Sequence, residues 1–170
     1  MTARLSRPVN VNRLGEGKTL SIEASAEECA ALAEALDILA IDSLTAEVSV
    51  KPWRGDGVRV EGVVRGTVSQ ACVVTLEPVP GAVEERFERR LHPDVVESED
   101  IVVDPDQPDP PERMDTHEVD VGAIALEHFA LGLDPYPRAP GVEFEAVEED
   151  TGEDDPSPFA ALAALKNKPS

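Results

Sequence analysis

The hydrophobic residues of this chain change their spacing as the sequence proceeds. Ser25 and Glu28 form a capping-box signature, and the apolar residues behind them recur at helical spacing, which predicts a helix over residues 25–39. From Ile41 onward apolar and polar residues alternate, which is typical of strands with one buried face. The apolar stripe of the helix comprises Cys29, Leu32, Leu36 and Leu39. The first part of the chain therefore combines a helix with a sheet.

The alternating segments predict an antiparallel sheet of about five or six strands between residues 4 and 103. Turn residues at Gly15–Gly17 and at residues 52–57 separate the expected strands. The expected strands cover residues 5–11, 19–23, 44–50, 58–72 and 83–91. In the last of these, Phe87 and Leu91 share a face with charged residues. The pattern does not decide between an open sheet and a barrel-like one.

A second helix is predicted over residues 121–133, with Asp120 as its N-cap. Apart from Glu127 and His128 this segment is apolar, so we expect it to be largely buried. His128 is interpreted as a core or boundary histidine, the alternative being a metal ligand. Before this helix, residues 104–116 form a loop rich in Pro and Asp. The fold class is therefore α+β, with two helices packed on the sheet.

The end of the chain has its own pattern. Residues 1–141 are interpreted as one domain, followed by an acidic linker at 142–156 and an amphipathic helix at 157–168. The helix would place Phe159, Leu162 and Leu165 on one edge, with Lys166 where the helix dipole favours a cation. We expect this edge to bind an apolar groove, on this protein or on a partner. The alternative is a frayed terminus.

Charge is distributed unevenly over the 170 residues, whose net charge is −20. Residues 1–92 carry 11 basic and 14 acidic side chains, and residues 93–170 carry 4 basic and 21 acidic ones. Such a balance opposes unaided binding to nucleic acid, so any RNA contact should come from the first half and weaken with salt. The candidates are Arg54, Arg59, Arg65, Arg86, Arg89 and Arg90. The alternative, mixed-charge solvated strand faces, is favoured because acidic residues lie among them.

Little in the sequence points to catalysis, a metal or a cofactor. It contains no phosphate-binding glycine loop and no hydrolase or metalloprotease motif. Cys72 and His92 are the only pair to consider, and Cys72 is interpreted as a buried structural residue. No apolar stretch is long enough to span a membrane. The basic residues at the start are not followed by the apolar segment of a secretory signal, and two cysteines fit a reducing cytoplasm.

Four segments resemble, in order, the motifs of the YceD family, bacterial and plastid proteins linked to accumulation of large-subunit ribosomal RNA. Residues 72–79 are similar to its Cys-x-x-Cys-Leu-Glu-Pro segment, and residues 119–122 to the start of its Leu-Asp-Leu-Gly helix. Residues 133–138 resemble its Leu-Pro-x-x-Pro stop, and residues 158–166 its C-terminal helix. The matching positions include Cys72, Leu76, Glu77, Pro78, Asp120, Glu127 and Pro137.

The resemblance implies a non-enzymatic factor in ribosome biogenesis that supports ribosomal RNA accumulation, and we expect it to act through protein-mediated association. The acidic charge favours a basic partner, such as a ribosomal or RNA-processing protein, and opposes binding to DNA or to a membrane. Thr75 and Pro140-Gly141 stand where relatives have cysteines, so no metal site is carried over to this chain. The alternative is a generic protein-binding adaptor not connected with RNA. A metal-assisted nuclease is the weakest reading, because most of the acidic residues lie in loops.

Overall fold

The computed structural model describes residues 4–95 and 110–142, and it confirms the α+β class. The elements are β1 (Pro8–Asn10), β2 (Lys18–Glu23), α1 (Ala26–Ala35), β3 (Ala40–Trp53), β4 (Gly57–Ala71), β5 (Pro78–His92), β6 (Glu112–Arg113), β7 (Glu118–Asp120) and α2 (Val121–Leu131). A short 3-10 turn, Val11–Arg13, follows β1. A five-stranded sheet has the order β2-β3-β4-β5-β6, and β1 pairs with β7 in a separate two-stranded sheet.

The long strands β3, β4 and β5 form the antiparallel meander that the alternation predicts. Val48 pairs with Gly62, which pairs with Phe87 on the next strand, so apolar positions of all three strands share the inner face. Among the described residues the sheet does not close on itself, because β2 and β6 lie at opposite edges. The barrel-like alternative is therefore wrong. Strand β6 also runs parallel to β5, pairing at Leu91 and His92, which the antiparallel expectation did not include.

Two glycines of β4 make room for aromatic rings on the inner face. A Cβ atom at Gly62 would lie 2.6 Å from Cζ of Phe87, and one at Gly66 would lie 2.6 Å from Cε2 of Phe129. Real Cβ atoms do not approach other atoms so closely, so each ring, together with a backbone carbonyl of β3 (Glu47 at Gly62, Ser43 at Gly66), occupies the space that a side chain would need. Helix α2 thereby packs closely against the centre of the sheet.

Helix α1 starts as predicted, with a capping box in which Ser25 accepts from the Glu28 amide and Glu28 accepts from the Ser25 amide. It ends four residues earlier than expected, at Ala35. Asp37 has a φ of +55°, and the Ile38 amide bonds to the Ala33 carbonyl, so the chain turns out of the helix there. Leu39 consequently does not continue the buried stripe and is exposed.

The first strand differs from its prediction in length and in partner. Only Pro8–Asn10 of the expected strand at 5–11 is extended, and Val9 pairs with Val119 of β7 rather than with the following strand. The Pro- and Asp-rich loop is interrupted by β6, while residues 104–109 lie outside the described residues. Neither helix in the described part of the chain is long and apolar enough to cross a membrane.

Helix α2 begins at Val121 behind its Asp120 cap and ends at Leu131, two residues before the predicted end. It is buried along one face only, and Leu131 is exposed, so the expectation of a helix buried on most sides holds only in part. The buried face comprises Val121, Gly122, Ala125 and Phe129. Together with α1 and the inner face of the sheet, this face forms one continuous core.

Candidate functional site

Three exposed large hydrophobic side chains lie in two loops that meet at one end of the sheet, where β4 ends and β5 begins. Their exposed fractions run from 47% for Val73 to 76% for Leu76. We call this surface the apolar end; its members are Val73, Leu76 and Tyr136. Leu39, just before β3, and Leu131, in α2, are also exposed. Single exposed hydrophobic residues are ordinary, but a group of them on one surface is typical of a contact site.

The turn between β4 and β5 presents two members of the apolar end. The Leu76 amide bonds to the Cys72 carbonyl at 2.9 Å, and the Cys72 amide bonds to the Glu77 carbonyl at 2.8 Å. These bonds close the turn and hold Leu76 at a φ of +62°, in the left-handed region that leucine rarely adopts. Leu76 therefore combines a strained backbone conformation with an exposed side chain.

The segment that follows α2 packs against this turn. The Val73 amide bonds to the Pro137 carbonyl at 2.9 Å, and the Gln70 side-chain amide donates to the Asp134 carbonyl at 2.9 Å. Tyr136, next to Pro137, is therefore brought beside Val73. The two sequence segments around Cys72 and Pro137 form one surface, although they are far apart in the chain.

The side chain of Cys72 contacts both the β4–β5 turn and the segment that follows α2. It is fully buried, and Sγ accepts hydrogen bonds from the Ala139 amide at 3.4 Å and the Thr75 amide at 3.5 Å. Hydrogen bonding from the Thr75 side chain, followed by backbone amides, lowers the pKa of the thiol to about 6. Because the sulfur is enclosed, it acts here as a hydrogen-bond acceptor that fixes the two loops, and not as an accessible nucleophile.

Among the described residues, Cys72 is not part of a cluster of catalytic or metal-binding side chains. His92 lies at the opposite end of the sheet, where its Nε2 is 2.9 Å from the Arg54 carbonyl. The structure therefore separates the only cysteine–histidine pair that the sequence offered. Within residues 4–95 and 110–142, no three His, Cys, Asp or Glu side chains come together as a metal site would require.

Asp120 has a structural role that extends beyond its helix. Its Oδ1 atom accepts from the amides of Gly122 and Ala123, both at 3.1 Å, and from the Arg7 amide at 2.7 Å. Its Oδ2 atom accepts from the Ser6 hydroxyl at 2.7 Å. Burial raises the pKa of Asp120, but these hydrogen bonds outweigh it and keep the pKa below the usual 3.8. One carboxylate thus caps α2 and holds the N-terminal segment.

Glu127 and His128 meet one arginine between α2 and the sheet. Arg89 lies 2.8 Å from Glu127 and 2.7 Å from Glu112, and its Nε donates to His128 Nε2 at 3.4 Å. The His128 ring stacks on Phe87, with centroids 4.8 Å apart. These contacts agree with the interpretation of His128 as a boundary histidine and assign Glu127 to the packing of α2 on β5.

The His128 environment predicts a loss of stability in mild acid. Burial lowers the pKa of His128 from 6.5 and Arg89 lowers it further, against the opposing effects of Glu127, Glu85 and Glu112. The unfolded chain therefore binds a proton at a higher pH than the folded chain does, so stability falls as the pH drops below about 6.5. The wild-type melting temperature should fall more between about pH 7 and pH 5 than that of His128→Gln. Equal slopes for the two proteins would contradict this assignment.

The six arginines proposed for RNA do not form one surface. Arg59, Arg65, Arg86 and Arg90 project from the outer face of the sheet, whereas Arg89 faces α2 and Arg54 stacks over the Trp53 ring in the β3–β4 turn. All except Arg54 lie within 4 Å of a described carboxylate. The outer face alternates in charge, as the mixed-charge alternative expects.

Several sequence predictions concern residues beyond the described part of the chain. The partner-binding residues Phe159, Leu162, Leu165 and Lys166 lie there, as does the acidic linker after Val142. The apolar end, conversely, was not found by sequence reasoning. The only available signal was the presence of Leu76 and Tyr136 in segments rich in proline, where exposed apolar side chains have no strand or helix face to bury them.

Comparison with known proteins identifies the family to which the chain belongs. No curated protein and no solved structure gives a significant match to the chain. A family described as "Large ribosomal RNA subunit accumulation protein YceD" matches residues 60–166. That range contains the Cys72 turn, the Asp120 cap, Glu127 and the segment around Pro137, and it covers more than half of the sequence. The chain therefore belongs to the YceD family, whose name implies a role in the accumulation of large-subunit ribosomal RNA.

Proposed function

We propose that the protein supports accumulation of large-subunit ribosomal RNA as a non-enzymatic factor that binds another protein. The observation that carries this proposal is the apolar end, where three exposed hydrophobic side chains lie in two loops joined by hydrogen bonds. Grouped exposed apolar side chains mark protein contact sites, and tyrosine is enriched among the residues that supply most of the binding energy there, whereas phosphate backbones are bound by exposed cations. The partner would contact this surface with apolar side chains of its own.

The charge of the chain favours a basic partner. The net charge is −20, and the described residues alone carry 13 basic and 21 acidic side chains. An acidic surface attracts and orients basic proteins. We therefore propose a ribosomal or RNA-processing protein as the partner that binds the apolar end. The same charge repels RNA, and the arginines of the outer sheet face are engaged by neighbouring glutamates.

The contact is tested with a variant of the apolar end. Val73→Ser/Leu76→Asn/Tyr136→Ser removes three anchors from loops, and asparagine suits the left-handed backbone at position 76. We expect the partner captured by the tagged wild-type protein at moderate salt to bind the variant about 30-fold or more weakly. Capture by the wild type should persist after nuclease treatment, because protein and not RNA makes the contact.

A matched control removes three side chains from the outer sheet face instead. Val63→Ser/Arg65→Ser/Thr67→Ser should bind the partner as the wild type does. Loss of binding in this control alone, or loss of the wild-type complex on nuclease treatment, would contradict protein-mediated association. In cells lacking the native gene, the apolar-end variant should also fail to restore large-subunit ribosomal RNA. Restored RNA without partner binding would overturn the proposal, and partner binding with no effect of gene loss on RNA would favour the adaptor unconnected with RNA.

A further inference from the structure

A groove lies between α1 and the first residues of β3, beside the apolar end. Its volume is about 490 Å³, and its walls are largely apolar. The apolar lining includes Ala26, Ala30, Ala33, Ile38, Leu39 and Ile41. The groove exists because β2 ends at Glu23, opposite Thr45, so no strand covers β3 between Ala40 and Leu44 on that side. Alanine side chains on the helix leave the groove wide enough for larger side chains to enter.

The chain leaves its described part close to this groove. Val142 bonds through its amide to the Ala139 carbonyl, and the Ala139 amide bonds to Cys72 Sγ. Leu39, which lines the groove, bonds through its amide to the Ser69 carbonyl, three residues before Cys72. A rise of about 3.3 Å per residue places this part of the groove about 10 Å along the strand from Cys72.

The next segment can reach the groove easily. Fourteen residues separate Val142 from Ser157. Fully extended, fourteen residues span at most about 50 Å, which is several times the distance of about 10 Å between Cys72 and the groove. The segment that begins at Ser157 can therefore reach the groove, and as part of the same chain it has a high effective concentration there.

The sequence of that segment fits the groove in shape and in charge. At helical spacing, Phe159, Leu162 and Leu165 form an edge of large apolar side chains, which complements a lining of small ones. Glu34 and Asp42 also line the groove, and Lys166 and Lys168 follow the apolar edge. The family match extends through residue 166 and therefore includes this edge.

We propose that residues 157–168 bind as a helix in the groove between α1 and β3 of their own chain. The apolar edge enters between Ala30 and Leu39, and the lysines contact the carboxylates of Glu34 and Asp42. This intramolecular contact goes beyond the proposed function and does not depend on it, because it needs no partner.

The contact is tested in the full-length purified chain by photo-crosslinking. Phe159 is replaced by p-benzoylphenylalanine, which keeps an aromatic side chain at the anchor position. Irradiation should give crosslinks within one chain to the peptide containing residues 26–42, with a yield independent of protein concentration. Ala30→Arg fills the groove and adds a charge that repels Lys166, so we expect it to reduce this yield about tenfold.

Ala31→Arg is the matched control, since Ala31 is the next residue of α1, is exposed and does not line the groove. It should leave the crosslink yield unchanged. Crosslinked dimers whose yield rises with concentration would show that a second copy receives the segment and would overturn the proposal. Crosslinks to residues 73–76 in place of residues 26–42, an equal loss with both arginine variants, or no crosslink at all would also overturn it.

Discussion

Replacement of Asp120 by alanine should lower the free energy of unfolding by about 3–4 kcal/mol. Loss of a helix N-cap alone costs about 1–2 kcal/mol. Asp120 also accepts hydrogen bonds from the Arg7 amide and the Ser6 hydroxyl, and leaving such donors without a charged acceptor adds about 1–3 kcal/mol. Urea denaturation followed by circular dichroism measures the difference. Because the pKa of Asp120 is below the usual value, its stabilising effect should be present above pH 3.8 and lost as pH falls further.

Two comparisons make the Asp120 prediction specific. Asp115→Ala is the matched control, because that carboxylate is exposed and pairs only with Arg113 among the described residues, so its loss should cost less than about 0.5 kcal/mol. Asp120→Asn keeps one oxygen acceptor and should fall between the wild type and Asp120→Ala. A loss below about 1 kcal/mol in Asp120→Ala would mean that the carboxylate caps α2 without holding the N-terminal segment.

Phe129→Ala should cost about 3–5 kcal/mol, the range found for aromatic side chains removed from a packed core. Phe129 is fully buried, and its Cε2 atom is 2.6 Å from the position that a Cβ atom at Gly66 would take. Gly66→Ala alone should destabilise by about 1–3 kcal/mol through overpacking. The ring is one source of this cost; the Ser43 carbonyl, which is part of the backbone, is the other.

The double variant tests whether these two residues act on each other. In Gly66→Ala/Phe129→Ala the new methyl group enters space that the ring has left, so the total cost should be about 1–2 kcal/mol less than the sum of the single costs. Rescue should remain partial because the Ser43 carbonyl is still in place. Additive costs would show that the backbone, and not the ring, excludes a side chain at position 66. Equilibrium denaturation of all four proteins supplies the comparison.

Local patterns in the sequence predicted most of the secondary structure correctly. The capping box at Ser25, the long alternation of β4 and the Asp120 cap each depend on residues close in sequence, so they can be recognised without the fold. The end of α1 was placed too late because an apolar residue at the right spacing, Leu39, continued the stripe after the backbone had turned at Asp37. Periodicity alone does not detect such a turn.

Long-range features could not be predicted in this way. The pairing of β1 with β7, and the parallel pairing of β6 with β5, depend on which strand edges remain available after the meander forms. The sequence of a strand of two or three residues does not encode that. The apolar end likewise arises only when the Cys72 turn and the Pro137 segment meet. Each segment alone contributes one or two exposed apolar residues, which is ordinary for a loop.

The pairing of the N-terminal segment with β7 and Asp120 also sets an order of events during synthesis. Arg7 and its acceptor Asp120 are separated by 113 positions. At translation rates of about 5–20 residues per second, the first strand emerges and waits for about 6–23 s before its partner exists. The meander, whose strands are neighbours in sequence, can form meanwhile, but its inner face lacks the cover of α2. A chain interrupted before residue 118 would therefore expose part of its core, making incomplete products recognisable to chaperones and proteases.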